Sequence, residues 1–218
     1  MLDAHSTSNI EPHFFPKEKG TGNILGDSVL NEKAAVLLDG MYLQNILNVY
    51  GLFAKVDYQR LSDKLALPHE RARTYVFDAL PYEGSLTRTN KQRFLDRLKY
   101  LDKFQVEEGY VKMDTKECPA CKSQIKVPRQ KKVDILIATR LLECSFDDRI
   151  SKIVLVAGDA DFVPAVEIAK KRKELVIVYA EEVDRNIGVS TDLKKACDGR
   201  IRLHVGYFDD CMLPGATQ

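Results

Sequence analysis

Short apolar runs alternate with segments of helical spacing along most of the chain. An apolar run without polar alternation is typical of a strand buried on both faces, and an intervening helix is typical of the crossover between parallel strands. We therefore expect a single α/β domain with a Rossmann-like, mostly parallel sheet and helices on both of its faces. The predicted strands cover residues 34–38, 73–80, 104–113, 153–157, 175–180 and 201–205, and the predicted helices cover residues 41–50, 57–67, 86–103, 132–144, 162–173 and 190–197.

Composition argues against the membrane, secreted and fibrous classes. Hydrophobic residues make up 44% of the 218, enough to bury a core, but the longest apolar runs fall far short of the roughly 20 residues that span a bilayer. The 33 Lys and Arg residues nearly balance the 32 Asp and Glu residues, so there is no global attraction to nucleic acid or to an acidic membrane. Five Cys residues and a start without a secretory signal predict a reducing, cytoplasmic location.

The domain organisation follows from where the apolar pattern begins and ends. Residues 1–32 are rich in Ser, Asn, Gly, Pro and charge, which predicts a flexible N-terminal arm. Residues 33–207 carry the pattern and form the predicted domain, which contains a basic loop insertion at residues 114–131. Residues 208–218 are predicted to form a C-terminal tail.

Acidic residues follow two of the predicted strands. Asp39 ends the first apolar run, and Asp159 and Asp161 follow the run at 153–157. The carboxyl ends of parallel strands meet at one edge of a sheet, and Asp134 joins them if its helix starts at that edge. Neighbouring carboxylates repel one another unless a cation is bound, and Mg²⁺ or Mn²⁺ suits such oxygen ligands. A metal there would activate water for phosphodiester hydrolysis.

Simpler roles are open for each of these acids. An Asp between a strand and a helix is often only an N-cap, which suits Asp161 ahead of Pro164, and Asp134 would be an ordinary acid in the first turn of a helix. Asp78, at the end of the second predicted strand, is a weaker candidate for the same edge.

Three stretches of the sequence resemble the NYN domain, in the LabA-like branch of the PIN-like nuclease superfamily. They are VLLDGMYL at residues 36–43, KKVDI at 131–135 and VLVAGDADFVP at 154–164, and the resemblance covers roughly residues 34–206. It implies a PIN-like fold and a ribonuclease, most simply an endonuclease, that holds Mg²⁺ or Mn²⁺ at catalytic Asp39, Asp134, Asp159 and Asp161. RNA is the implied partner, and DNA is an open alternative.

The sequence departs from the family pattern at two positions. Tyr42 stands where the family usually has Asn, and Lys132 stands where it favours Gly. Loss of an amide that could orient a metal-bound water keeps a second hypothesis open: a catalytically weak or inactive nucleic-acid-binding or scaffold module on the same fold.

Cys118 and Cys121 form a CxxC pair in the predicted loop insertion. Both thiolates can reach one Zn²⁺, but a structural zinc site needs four ligands and the sequence has no second CxxC. A complete site would therefore need distant residues or a second subunit, as in a homodimer or a larger assembly. A turn without metal and redox chemistry are the alternatives.

The same loop is basic. Five positive residues without an intervening acid lead towards Asp134, which predicts a surface that holds a nucleic-acid backbone. They are Lys122, Lys126, Arg129, Lys131 and Lys132. Tyr42, Tyr82 and Tyr110 are candidates for stacking on bases, although packing within the domain is the commoner role of Tyr.

Overall fold

The structure is a computed structural model that describes residues 32–180 and 187–216. Apart from Glu32, the predicted N-terminal arm lies outside the described residues. The described residues form one seven-stranded sheet, in the order β4-β3-β2-β1-β5-β6-β7, and every neighbouring pair is parallel except β3 and β4. The predicted α/β fold is therefore confirmed.

The elements follow the predicted alternation closely. The strands are β1 (Lys33–Asp39), β2 (Glu70–Leu80), β3 (Phe104–Glu117), β4 (Gln124–Lys131), β5 (Ile150–Val156), β6 (Glu174–Ala180) and β7 (Gly199–Leu203). The helices are α1 (Gly40–Val49), α2 (Tyr58–Ala66), α3 (Arg88–Lys99), α4 (Val133–Phe146), α5 (Val163–Ala169) and α6 (Thr191–Ala196), with 3₁₀ turns at Ala160–Phe162 and Val205–Cys211. Within these residues no helix is both long and apolar enough to cross a bilayer.

The order of the strands creates a crevice at the centre of the sheet. From β1 the chain moves outwards through β2 and β3, and it then returns to β5 on the other side of β1 before moving outwards again. The connections that leave β1 and β5 therefore go to opposite faces, and ligands of open α/β sheets bind in the crevice outside the carboxyl ends of such a strand pair.

Two apolar layers cover the two faces of the sheet. Along β1, Ala34, Val36 and Leu38 pack in the layer of α1, α2 and α3, whereas Ala35 and Leu37 pack in the layer of α4, α5 and α6. All five side chains are fully buried. A strand buried on both faces has no polar alternation, which is why the sequence pattern identified it.

Residues 114–131, predicted as a loop insertion, instead form most of a β-hairpin. β3 continues to Glu117 and β4 returns antiparallel, with pairs from Tyr110 opposite Lys131 to Glu117 opposite Gln124. Pairing of β3 with β2 stops at Tyr110, so residues 111–131, here called the hairpin arm, extend past the neighbouring strand. Most of its side chains are exposed, so it lacks the apolar face that would predict a strand.

The segment from residue 208, predicted as a C-terminal tail, is instead packed against the domain. Phe208 and Cys211 are buried in the α1–α3 layer, and Met212 makes a β-bridge with Val56. The Lys64 ammonium donates to the carbonyl oxygen of Tyr207 at 2.8 Å. This segment closes the apolar layer beside α2, which a short sequence with few apolar residues did not reveal.

Candidate active site

Asp39 is the last residue of β1 and the N-cap of α1. Its Oδ1 accepts hydrogen bonds from the backbone N–H groups of Met41 (3.0 Å) and Tyr42 (3.1 Å), so the capping role considered for strand-end acids does apply here. Gly40 is required by crowding, because a Cβ there would lie 2.5 Å from Asp78 Oδ2 and 2.9 Å from the Phe77 carbonyl oxygen. The Asp-Gly pair thus fixes the carboxylate at the end of the central strand.

Asp159 occupies the equivalent place after β5. Its Oδ1 accepts from the N–H of Asp161 at 3.0 Å and so caps the 3₁₀ turn that leads into α5. Gly158 precedes it, and a Cβ at Gly158 would lie 2.7 Å from the Gly188 carbonyl oxygen and from the ring of Tyr42. The tight turn after β5 therefore brings Asp159 to the same crevice as Asp39.

Asp134 comes from a third element. Lys132 adopts a left-handed conformation (φ 73°), which turns the chain from β4 into α4 and places Asp134 in the first turn of that helix. Asp39, Asp134 and Asp159 all line one open cleft of about 530 Å³. Asp161 does not line the cleft, but its charge acts on Asp134.

The electrostatics of the cleft disfavour further negative charge. Burial, with a smaller effect of the carboxylates of Asp78 and Asp134, raises the pKa of Asp39 to about 6, against the opposing effect of its two backbone N–H bonds. Desolvation, followed by Asp159 and Asp161, raises the pKa of Asp134. Among the described residues, neither Lys nor Arg forms an ion pair with any of the four predicted acids.

The donor set fits a hard cation that keeps part of its water shell. In the part of the chain that the structure describes, no group of three His, Cys, Asp or Glu side chains is arranged to hold one ion. The four acids therefore do not form a closed cage. Mg²⁺ is usually held by one or two carboxylates together with water and substrate phosphate, a mode that this open cleft allows.

Asp78, the weaker candidate for this edge of the sheet, does not line the cleft. It is 2% exposed, its carboxylate forms an ion pair with Lys91, and its Oδ1 accepts from the N–H of Ala79 at 2.8 Å. Asp78 thus lies beneath the β1–α1 turn, outside the residues that line the cleft. Its effect on the site is electrostatic, through the pKa of Asp39.

Tyr42 is buried, whereas the base-stacking role predicted for it needs an exposed ring. Its side chain is 7% exposed, the ring packs against Gly158, and the hydroxyl donates to the carbonyl oxygen of Ile187 at 3.1 Å. The ring thus lines the cleft and joins α1 to the segments after β5 and β6, which leaves little of its face for a base. Tyr82 and Tyr110 are exposed.

The predicted basic residues lie on or beside the hairpin arm, and the opposite strand supplies acids that the prediction did not include. Lys122 pairs with Glu117 at 3.2 Å, and Arg129 and Lys131 lie 3.9 and 3.8 Å from Asp114. Lys132 places its Nζ 5.3 Å from the ring centre of Tyr110. Lys126 is exposed. The surface is therefore a mixed network with an excess of positive charge.

Three polar residues of the cleft were missed by the sequence analysis: Asn45, Gln130 and Ser190. Asn45 follows Met41 by one helical turn on α1, so helical spacing from the cap could have indicated it. Gln130 lines the cleft from β4, a strand that was not predicted. Ser190 is the N-cap of α6, and its Oγ accepts from the N–H of Asp192.

Comparison with known proteins agrees with this architecture. The crystal structure of VPA0982, a protein of unknown function from Vibrio parahaemolyticus, is similar with a TM-score of 0.55 at 17% identity, over 87% of this chain and all of that one. At that identity the similarity concerns the fold alone. No curated protein matches the sequence. The profile of the NYN domain matches residues 33–204, most of the chain, which agrees with a PIN-like, nuclease-type fold. The chain therefore belongs to the NYN domain family.

Proposed function

We propose that the protein is a divalent-metal-dependent ribonuclease of the LabA-like branch, most simply an endonuclease, with its active site in the cleft outside β1 and β5. The observation that carries the proposal is the convergence of Asp39, Asp134 and Asp159 from three different elements. Within the described residues no basic side chain neutralises them. Uncompensated carboxylates at the switch point of an α/β sheet suit a bound cation.

The residues of the cleft suggest a division of roles. Asp39 and Asp159 would hold Mg²⁺ or Mn²⁺, because each keeps one carboxylate oxygen on its cap and has a second oxygen for a ligand. Asp134 and Asp161 would add negative charge that strengthens cation binding. The metal would supply an activated water and shield the phosphate charge. Asn45, Gln130 and Ser190 are suited to hydrogen bonding with phosphate or ribose oxygens.

RNA is the proposed substrate, with DNA as the alternative. The hairpin arm begins beside the cleft, since Gln130 lines the cleft and Lys131 and Lys132 lead directly into α4. Positive charge at that point would hold the backbone next to the proposed metal. We also propose a cytoplasmic location, which the five free Cys residues support.

The decisive experiment incubates labelled single-stranded and structured RNAs with the full chain and Mn²⁺. We expect cleavage that EDTA abolishes and that Asp39→Asn and Asp159→Asn each reduce by at least about 100-fold, because each variant removes a charged metal ligand. Asp148→Asn is the matched control, since Asp148 is exposed and lies before β5, at the opposite edge of the sheet. Cleavage that survives EDTA would contradict the mechanism.

A second candidate is a nucleic-acid-binding module with little or no activity. It is favoured by the buried Tyr42, which supplies no amide to the cleft, and by the lack of a three-ligand group in the described residues. In the same assay, retention of RNA without cleavage across varied substrates and metals would support this function. DNA of the same sequences, run in parallel, separates the two substrate classes.

A further inference from the structure

The tip of the hairpin arm carries two thiols that the cleft does not use. Cys118 and Cys121 lie in the turn between β3 and β4. Two backbone hydrogen bonds fix that turn, from Cys118 N–H to the Ser123 carbonyl oxygen (2.8 Å) and from Lys122 N–H to the Cys118 carbonyl oxygen (2.9 Å). Lys122 adopts a left-handed conformation (φ 61°) directly after the second thiol. Both Cys side chains therefore project from one defined turn.

The two thiols are close together and accessible. Cys118 is partly exposed and Cys121 is exposed, and Cys121 Sγ lies 3.0 Å from Ser123 Oγ. The side chain of Cys118 also lies within hydrogen-bonding distance of the Cys121 thiol. This turn therefore offers two sulfur ligands to one metal ion.

Two thiols are half of the ligand set that a structural zinc site needs. Zinc in such sites takes four ligands in a tetrahedron. Cys144, Cys197 and Cys211 are buried in the domain, and the described residues contain no group of three metal-binding side chains. A structural zinc at this turn would therefore need two further ligands from outside the described residues.

The position of the tip allows a second copy to supply them. Among the residues that the structure describes, β3 beyond Tyr110 pairs only with β4, so the arm is there a two-stranded ribbon. An isolated two-stranded ribbon is marginally stable in water, and a metal at its tip would hold it together. A twofold axis brings the same surface of both copies together, so two tips that meet would present four thiolates.

We propose that Cys118 and Cys121 from two copies of this chain bind one Zn²⁺ as a tetrahedral four-thiolate site, which joins the two hairpin arms at their tips. The expected stoichiometry is one zinc per two chains. The site is structural and separate from the cleft, so it does not depend on the proposed function.

The test measures zinc content and native mass on the full chain, purified under reducing conditions from cells grown with zinc. We expect a dimer with 0.5 zinc per chain, given the four-ligand rule. Cys118→Ser and Cys121→Ser should each lose the zinc and become monomeric. Ala120→Ser, which adds a hydroxyl to the same turn and keeps both thiols, should retain both. Replacing zinc with Co²⁺ should give the absorption of tetrahedral thiolate coordination.

Several outcomes would overturn the proposal. One zinc per monomer would place the missing ligands in the same chain, and a concurrent loss of zinc in a His5→Ala, His13→Ala variant would identify them. Zinc-free protein, a Cys118–Cys121 disulfide under reducing conditions, or a dimer that persists in both Ser variants would each reject the shared site. All these readouts are independent of nuclease activity.

Discussion

Asp39 caps helix α1 and also lies in the cleft, where its charge is poorly solvated. Burial raises its pKa to about 6, above the value of about 3.9 in an unfolded chain. The stabilising contribution of the protonated carboxyl is complete below the unfolded pKa and is lost as the pH rises through the folded one. At neutral pH, therefore, the ionised Asp39 lowers the stability of the fold.

Asp39→Asn should thus stabilise the protein. The Asn Oδ1 can still accept from the N–H groups of Met41 and Tyr42, so the cap is retained. We expect the free energy of unfolding at pH 8, without divalent ions, to rise by about 1–3 kcal/mol, and to stay unchanged at about pH 4. Urea denaturation at both pH values measures the difference. Asp148→Asn should change neither value, and equal stability of wild type and Asp39→Asn at pH 8 would refute the argument.

The sequence predicts the position of a single residue when its neighbours along the chain determine that position. It does not when tertiary packing determines it. The positions of Asp39 and Asp159 follow from strand ends, which the apolar pattern marks. The burial of Tyr42 depends on its contact with Gly158, and the pairing of Asp78 depends on Lys91. Neither partner is a neighbour along the chain. No local pattern could have distinguished a buried Tyr or a paired Asp from an available one.

Among the elements, the hairpin arm is where pattern reasoning failed. Strands buried in the sheet were found because their apolar residues are continuous, whereas β4 is an edge strand with Lys126, Pro128 and Arg129 exposed. Lys and Pro on an edge strand discourage pairing with another chain, and they also resemble the composition of a loop. The chemistry of this region was visible in the sequence, but its conformation was not.

The arm gives a test of nucleic-acid contact. Arg129→Gln with Lys131→Gln removes two charges near the cleft, so we expect weaker RNA binding and a salt dependence that is shallower by about 1.4, at roughly 0.7 per phosphate contact on a single strand. Fluorescence anisotropy at several salt concentrations measures both quantities. Lys171→Gln, a change of an exposed residue in the turn after α5, is the control. An unchanged salt slope would exclude these two residues from the contact.

The C-terminal segment gives a test of packing. Phe208 is fully buried and its ring lies edge-on to Tyr50, with centroids 6.3 Å apart. Phe208→Ala should lower the free energy of unfolding by about 3–5 kcal/mol, because it leaves a cavity in the α1–α3 layer. Val205→Ala is the matched control, since Val205 is 42% exposed in the same turn. A loss below about 1 kcal/mol in urea denaturation would restore the description of this segment as a tail.

For the molecule as a whole, metal binding and folding are linked. A cation that binds only the folded protein should raise the free energy of unfolding by about 2.7 kcal/mol at 100 times its Kd. We expect Mn²⁺ to stabilise wild type in this way, and Asp39→Asn and Asp159→Asn to lose most of the effect. Cys118→Ser should keep it, because Mn²⁺ prefers oxygen ligands. Thermal unfolding with and without Mn²⁺ makes the comparison, and equal stabilisation of all variants would place the ion elsewhere.

The turn at the hairpin tip also divides the polypeptide between the two halves of the active site. A break between Cys118 and Cys121 would leave Asp39 on the first fragment and Asp134 and Asp159 on the second. The fragments would rejoin along the hydrogen-bonded seams of β1 with β5 and β3 with β4. The protein is accordingly a natural candidate for a split reporter, in which neither fragment has all the acids of the cleft and the proposed phosphodiester cleavage would return only when fused partners reunite them.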